Sequence, residues 1–514
     1  MVFQTSFGLL FFIAVVALVA AWWKVQSASI DVLIGGGVLA VWVMLILSRP
    51  ENLLRLPFFP WHLESFFPTR PTLLLDTYTW IYGVSLVGFA FSCTLLMSRK
   101  DYQLAWVLGL IFVGMLGVFS ESALTLLMSW TLMDILWVTL FLLTRNPPLN
   151  HGQFALFFVY RMISPLLLIY ASFQTFAENG TFSFLEMEPT YGIFILGAAI
   201  FRLVFWFPSP ISTGKWEDKR GLFIANNTVP AAVSLSLVTR AAEMGIGEIY
   251  RTPLLTLAVI ILFICAILWW LAPDPLHGAG SWTMGIFTLS FAAGVFEIPR
   301  ATFAWGLALI LSGNILYLGN VGGKSKFYAF VLLILGLCGL PFTPLWVGDD
   351  LFSQGIWGVM FGLGYGFLFW GALRFVFLGE SEERRSERSS WIPMIAGFGF
   401  LLLTQFLLGA AGDLFSRSLN FWKEGWWFAI PYTAILPLIL IWRVDFSLPH
   451  WVRDIRARFA VMPRHISSAF FHLGRIMGVI IMGILRLLEG RGGVIWSLIG
   501  VFFLLSLLAL RGGG

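Results

Sequence analysis

Long apolar stretches alternate with short polar connections along the whole chain. A helix that crosses a membrane needs about 20 mainly apolar residues. About sixteen stretches approach that length, at 5–23, 30–48, 76–97, 103–119, 122–143, 153–175, 191–211, 222–242, 254–272, 281–297, 301–319, 326–347, 351–378, 392–411, 425–443 and 492–510. The stretch at 222–242 is the most interrupted, because Asn226, Asn227 and Thr228 fall inside it. This pattern predicts an all-α, polytopic membrane protein with about sixteen spans.

Composition supports the same fold class. Of 514 residues, 59% are hydrophobic and 11% are charged, whereas soluble domains carry about 25% charged residues. In a membrane protein, a net charge of +5 indicates cytoplasmic loops and anionic lipid as partners, not nucleic acid. Basic residues are in modest excess on the odd-numbered connections, which predicts both termini outside. We expect an integral protein of a prokaryotic cytoplasmic membrane.

Two segments differ from the membrane spans. At 446–487, arginines alternate with apolar residues in the pattern of a long amphipathic helix that lies on the membrane or along other helices. Pro463 interrupts it, and a cytoplasmic tail is the alternative interpretation. The connection at 49–73 is rich in proline and aromatic residues, which is typical of an interfacial cap.

The sequence contains no motif of a soluble enzyme. It has no phosphate-binding glycine loop before a helix, no nucleophile elbow and no cysteine or histidine set with metal-ligand spacing. Its three cysteines, Cys93, Cys265 and Cys338, all lie in apolar stretches. We therefore expect no catalytic residue, no metal site and no cofactor on this chain.

Ionisable residues inside the apolar stretches are few, and they are the candidate functional residues: Asp134, Arg161, Arg202, Asp349 and Asp350. A charge at membrane depth costs several kcal/mol and marks a functional site by default. Asp134 is either a proton site or a carboxylate paired with an arginine, for which Arg161 is the first candidate. Arginine does not release its proton in proteins, so Arg161 and Arg202 are expected to be structural counter-charges.

Prolines predict where the helices break: Pro208, Pro230, Pro341 and Pro344. A helix broken at membrane depth exposes backbone groups, which is tolerated where they line a cavity or an ion path. The last two prolines directly precede Asp349 and Asp350. These residues leave two hypotheses open, an ion path and a scaffold.

Short motifs, taken in order, resemble the antiporter-like membrane subunits of respiratory complex I, Mrp antiporters and membrane-bound hydrogenases. The matching residues lie at 75–78, 161, 180–184, 207–208, 228–234, 272–274, 281–285, 337–344 with Asp350, and 488–496. The long subunit with a lateral helix and a terminal anchor has the most similar layout.

The resemblance implies a division of the chain into six parts. Three spans occupy 1–100, and two inverted five-helix repeats follow at 101–245 and 246–379, each with a broken helix. Two further spans lie at 380–445, the lateral amphipathic helix at 446–487 and the terminal anchor at 488–514. Other membrane subunits of a larger complex and the lipid bilayer are the implied partners.

The departures from this family concern the charged residues with which it moves protons. At the positions of its buried Glu and Lys residues, this sequence has Thr131, Phe201 or Arg202, Ser236, Trp305 and Asp349. Asp134, one turn after Thr131, is a substitute for the lost Glu, with Arg202 as its fixed counter-charge. Asp349 and Asp350 form a carboxylate pair in which like charges raise one pKa. Asp134, Asp349, Asp350, Thr131 and Ser236 are the candidates for an altered path.

Two functions follow from these observations. The first is an antiporter-like subunit that takes part in proton or cation translocation by a divergent route. The second is a non-conducting structural subunit that keeps the fold for assembly. An unrelated transporter or a membrane enzyme of lipid or polysaccharide assembly would need an acidic or histidine cluster at a loop, and the sequence offers little of that kind.

Overall fold

The computed structural model describes part of the chain, and the fold is reported for that part. The described residues are 2–23, 28–57, 71–97, 102–143, 151–203, 220–272, 275–313, 335–337, 339, 345–378 and 391–411. The predicted lateral helix at 446–487, the spans at 425–443 and 492–510, and the breaks at Pro208, Pro341 and Pro344 lie outside these residues.

Thirteen α-helices follow the predicted apolar stretches within the described residues. They are α1 Val2–Trp22, α2 Ala28–Leu47, α3 Thr77–Leu96, α4 Gln103–Val118, α5 Ala123–Leu143, α6 His151–Asn179, α7 Gly192–Leu203, α8 Arg220–Met244, α9 Glu248–Leu271, α10 Pro275–Val295, α11 Pro299–Leu307, α12 Gly355–Leu378 and α13 Trp391–Ala411. Six of the described helices have a segment long and apolar enough to cross a membrane. The chain is a polytopic helical membrane protein.

Helix α8 lies at the centre of the described bundle, where it packs against α3, α4, α7, α10 and α11. Small residues allow the close approach. A Cβ atom on Gly114 of α4 would lie 2.3 Å from Cγ1 of Val229, and one on Gly117 would lie 2.9 Å from Cγ1 of Val233. Close contact at small residues is how membrane helices pack without a hydrophobic driving force between them.

The predicted break at Pro230 is wrong. Helix α8 continues through this proline to Met244. A membrane helix tolerates an internal proline where neighbouring helices bury it, because side chains and local adjustments can satisfy the backbone carbonyl that loses its donor. Pro230 is buried, and so are Asn226, Asn227 and Thr228 one turn before it.

A two-stranded hairpin lies where the sequence indicated an interfacial cap. Strand β1, Leu54–Pro57, pairs antiparallel with β2, Thr72–Leu75. The amide of Leu74 donates to the carbonyl of Phe119 over 2.6 Å, and the amide of Glu121 donates to that of Thr72 over 3.2 Å. These two hydrogen bonds attach the hairpin to the connection between α4 and α5. We call this end of the molecule the hairpin face.

The α-helical hydrogen bonding of α11 gives way to a π-helical turn at Ala308–Ser312. Further along the chain, a 3₁₀-helix at Trp346–Ser353 leads directly into α12. Turns of the π type are rare and are frequent at functional sites. The stretch that the sequence predicts as one continuous span at 301–319 is thus irregular in its middle.

Candidate functional site

Three buried charged residues of the first half form one cluster. Asp134 lies in the middle of α5, Arg161 in α6 and Arg202 in the last turn of α7. Nη2 of Arg161 lies 3.1 Å from Oδ1 of Asp134. Arg202 donates to both carboxylate oxygens, from Nη1 to Oδ2 and from Nη2 to Oδ1, each over 3.0 Å. We call these three residues the charge triad.

Trp130 holds Arg202 in place from the other side. Nη2 of Arg202 also donates to the backbone carbonyl of Trp130 over 3.0 Å. The guanidinium carbon lies 4.9 Å from the centre of the Trp130 ring, within the range of a cation–π interaction. The guanidinium is therefore fixed by a carboxylate, a carbonyl and an aromatic face.

Burial decides what this triad can do. Arg161 and Arg202 are each 1% exposed and Asp134 is 8% exposed. A guanidinium keeps its proton in proteins, so two fixed cations lie beside the carboxylate of Asp134. The arrangement suits a fixed ion pair better than a relay, which needs a group that alternates between charged and neutral forms.

Two of the predicted path residues lie outside the triad. Thr131 is exposed on the outer side of α5, and its hydroxyl donates to the carbonyl of Leu127 in its own helix over 2.8 Å. Ser236 is buried in α8, and its hydroxyl donates to the carbonyl of Val233 over 2.8 Å. Neither hydroxyl contacts a charged group in these hydrogen bonds.

Aromatic side chains pack around Trp305 of α11. Trp305 is fully buried, and its Nε1 donates to the carbonyl of Gly348 over 2.9 Å. Its ring packs against Tyr365 and Phe352, with ring centres 4.7 Å and 5.7 Å away. Trp305 is thus packed among aromatic rings. At this position the sequence resemblance implies a lysine.

Asp349 lies in the 3₁₀-helix Trp346–Ser353, before the candidate membrane span Gly355–Leu373 of α12. It is 2% exposed, and its carboxylate lies so close to Gly339 that a Cβ there would be 1.7 Å from Oδ2. Burial, and then the charge of Asp350, raise the pKa of Asp349. Its Oδ1 has no hydrogen-bond partner among the described residues.

Sequence reasoning missed an ionic cluster on the hairpin face. Asp76 caps α3 by accepting from the amide of Thr79 over 2.9 Å, and the guanidinium of Arg240 forms an ion pair with it. Arg240 also contacts Oε2 of Glu243 over 2.9 Å. Asp76 belongs to one of the motifs that carry the resemblance. Arg240 belongs to none of them, and it reaches Asp76 because α8 packs against α3.

Among the described residues, no group of three or more histidine, cysteine, aspartate or glutamate side chains could hold a metal ion.

Two solved structures have a fold similar to that of this chain. No protein family and no curated protein matches the sequence. A chain of the membrane-bound sulfane sulfur reductase, an archaeal respiratory membrane complex, is 13% identical with a TM-score of 0.61, and the match covers 96% of this chain and 99% of that chain. This chain therefore shares its fold with that membrane subunit.

A second solved structure has the same fold. It is a chain of the Mrp complex from Dietzia sp. DQ12-45-1b, 14% identical with a TM-score of 0.62. The match covers 100% of this chain and 63% of that chain, so this protein spans less than two thirds of the Mrp chain's length. Both similarities extend over nearly the whole sequence while identity is low, which is expected when a fold is kept and its residues change.

Proposed function

We propose that this protein is a structural membrane subunit of a multi-subunit complex of the respiratory or Mrp type, and that the charge triad does not conduct protons. The observation that carries the proposal is that Asp134 forms ion pairs with two arginines. Its Oδ1 lies 3.1 Å from Nη2 of Arg161, and its Oδ2 lies 3.0 Å from Nη1 of Arg202. An uncharged side chain in place of Asp134 would leave two buried guanidinium groups without an anion.

The second half supports the same proposal. A path for protons through a membrane needs polar groups or water along its length. Trp305, Phe352 and Tyr365 pack against one another there, and the polar Nε1 of Trp305 is used in a bond to a backbone carbonyl. Tightly packed aromatic rings leave little room for a chain of water molecules.

Proton flux in reconstituted complexes tests this proposal. Asp134→Asn removes the charge with little change of shape, and Thr131→Val is the matched control on the exposed side of the same helix. We expect the same flux per assembled complex for both variants and the wild type, measured with a pH-sensitive dye in vesicles. Asp134→Glu, which keeps the charge, provides the comparison if Asp134→Asn fails to assemble. Loss of flux in an assembled Asp134 variant contradicts the proposal.

A second candidate function is translocation of protons or cations by a divergent route through Asp349. This carboxyl is buried and lacks a hydrogen-bond partner for Oδ1 among the described residues. Its raised pKa favours a neutral acid that can take up and release a proton. Asp349 differs in this respect from Asp134, which is held between two cations.

The two carboxyl groups can be separated by experiment. If Asp349 carries protons, Asp349→Asn abolishes flux in assembled complexes, whereas Asp134→Asn does not. Because the pKa of Asp349 is raised, the carboxyl loses its proton only as the pH rises through that raised value. The wild-type flux is then expected to change with pH above the usual aspartate range, and Asp349→Asn to remove this dependence. Unchanged flux in Asp349→Asn excludes this route.

A further inference from the structure

The indole of Trp282 is buried without a hydrogen bond to the protein. Trp282 lies in α10 and is 0% exposed, and its Nε1 has no hydrogen-bond partner among the described residues. A buried indole N–H usually finds an acceptor, because a buried donor that stays unpaired costs free energy. The N–H of Trp282 therefore needs an acceptor that these side chains and carbonyls do not supply directly.

Other fully buried tryptophans of this protein have a direct acceptor. Nε1 of Trp269 donates to the carbonyl of Leu368 over 3.0 Å, and Nε1 of Trp80 donates to that of Leu45 over 2.6 Å. Trp269 is also 0% exposed, and its ring centre lies 5.2 Å from that of Trp282. Two neighbouring tryptophans are thus equally buried, and they differ in whether the indole N–H has a protein acceptor.

Nε1 of Trp282 lies beside the π-helical turn of α11. A Cβ atom on Gly313 would lie 2.7 Å from Nε1 of Trp282, 3.0 Å from the carbonyl oxygen of Leu309 and 3.5 Å from that of Ala308. The glycine has no such atom, so it leaves a space next to its Cα. This space is bordered by one hydrogen-bond donor and two acceptors.

The π-helical turn changes how these carbonyls are used. In an α-helix the amide of Gly313 would donate to the carbonyl of Leu309, four residues earlier. Here it donates to the carbonyl of Ala308 over 2.8 Å. The carbonyl of Leu309 thus loses the donor that a regular helix would give it. The carbonyl oxygen of Ala308 accepts this amide with one of its two lone pairs, and the other can accept a second donor.

We propose that one buried water molecule binds between α10 and the π-helical turn, beside Gly313. It accepts from Nε1 of Trp282 and donates to the carbonyls of Leu309 and Ala308. Buried waters make about three hydrogen bonds, to polar groups that the protein leaves unsatisfied, and these three groups supply that number. The site selects water because water donates and accepts at once, whereas a cation would meet the N–H and an anion would meet two carbonyl oxygens.

The water site is independent of the function proposed above. A single water with three fixed partners satisfies buried polar groups and is not a path across the membrane. It also gives the glycine at position 313 a reason, since any larger residue there would project a Cβ atom into the space.

X-ray radiolysis of the protein in its assembled complex tests the site. Hydroxyl radicals form from water bound inside a protein and oxidise the adjacent side chains, and tandem mass spectrometry measures the rate at each residue. We expect Trp282 to be oxidised several-fold faster than Trp269, which is the equally buried control. Equal rates overturn the proposal, because they mean that the N–H stays unpaired or donates directly to a carbonyl.

Gly313→Ala tests where the water lies. The added methyl group would lie 2.7 Å from Nε1 of Trp282, which leaves no space for a water between them. We expect the oxidation rate of Trp282 to fall to that of Trp269. Gly109→Ala, whose Cβ meets nothing within 4 Å, is the control and should leave both rates unchanged. Rapid oxidation of Trp282 in an assembled Gly313→Ala variant overturns the proposal.

A second measurement reports on the indole itself. Ultraviolet resonance Raman spectra distinguish hydrogen-bonded from free indole N–H groups, and the difference between the wild type and Trp282→Phe isolates the signal of Trp282. We expect a hydrogen-bonded indole, as in the matched difference spectrum of Trp269→Phe, and a free N–H contradicts the proposal. The comparison of oxidation rates at Trp282 and Trp269 needs no variant, so it decides the proposal even if a variant fails to assemble.

Discussion

At the residue scale, the buried charges of this protein differ in what surrounds them. Asp134 lies between two arginines, and Arg202 is held further by Trp130. Asp349 is buried beside another carboxylate. The same residue type is thus paired with cations in one place and has a raised pKa in the other, where burial and a second carboxylate disfavour the charged form.

Asp134→Ala is expected to be strongly destabilising. It leaves the guanidinium groups of Arg161 and Arg202 buried without their anion, and breaking a buried ion pair in this way costs about 3–5 kcal/mol. Thermal unfolding of the purified complex in detergent should show a lower Tm, and the yield of assembled protein should fall. Thr131→Ala on the exposed side of α5 is the control. If the Tm falls equally in both variants, the ion pairs of the charge triad contribute no extra stability.

Trp305→Phe is expected to cost about 1–3 kcal/mol, because it leaves the buried carbonyl of Gly348 without its donor. The phenyl ring keeps most of the packing against Tyr365 and Phe352. Denaturant unfolding in mixed micelles measures this difference. Trp22→Phe is a control, since Trp22 is 73% exposed at the end of α1. Equal stability of the Trp305 variant and the wild type would count against the hydrogen bond.

At the element scale, the lengths of the apolar stretches determine where the helices lie along the chain. Small residues determine how closely neighbouring helices pack. Gly114 and Gly117 of α4 lie against Val229 and Val233 of α8. Helix α8 itself remains helical through Pro230 because it is enclosed on several sides. A proline in the sequence alone indicates a break, and the surrounding helices decide whether the break occurs.

Gly114→Ala is expected to destabilise the packing of α4 on α8 by about 1–3 kcal/mol, as overpacking of a filled core does. Its Cβ would lie 2.3 Å from Cγ1 of Val229. Gly109→Ala on the same helix meets nothing within 4 Å, and alanine is the better helix former by about 1 kcal/mol. Thermal unfolding should therefore give a lower Tm for the first variant and an equal or higher Tm for the second. The opposite order would exclude close packing at Gly114.

At the scale of the whole molecule, Glu297 links the connection between α10 and α11 to the region of Ile246 and Arg251, where the second predicted repeat begins. Its Oε1 accepts from the amide of Ile246 over 3.1 Å and forms an ion pair with Arg251 at 3.2 Å. Its backbone has a φ of 59°, the one positive φ at a described residue other than glycine. A left-handed backbone costs such a residue about 1–2 kcal/mol, which the contacts of its side chain offset.

Glu297→Gln is expected to change stability by less than about 1 kcal/mol, because the ion pair with Arg251 is partly exposed and such pairs contribute little. The amide oxygen can still accept from Ile246. Glu297→Ala loses that acceptor and keeps the unfavourable φ, so its Tm should fall further. Thermal unfolding of both variants measures the order, and a larger loss in the glutamine variant would show that the charge dominates.

Sequence and structure agree best on the helices. Thirteen described α-helices coincide with predicted apolar stretches, and α8 with its three interrupting polar residues is among them. The fold that short motifs in order predicted agrees with the two solved structures. The division into two inverted repeats, the site roles of the charged residues and the orientation of the termini stay predictions.

The sequence by itself determined the membrane class, the helices and the small set of buried charges, because apolar length and the cost of a charge in lipid are local properties of the chain. Only the tertiary structure decided which charges meet. Asp134 lies 27 residues from Arg161 and 68 from Arg202 along the chain, and no spacing along one helix predicts contacts between three. Packing also turned Thr131 outward, kept α8 unbroken and placed Trp305 against Gly348, because each depends on neighbours from distant parts of the sequence.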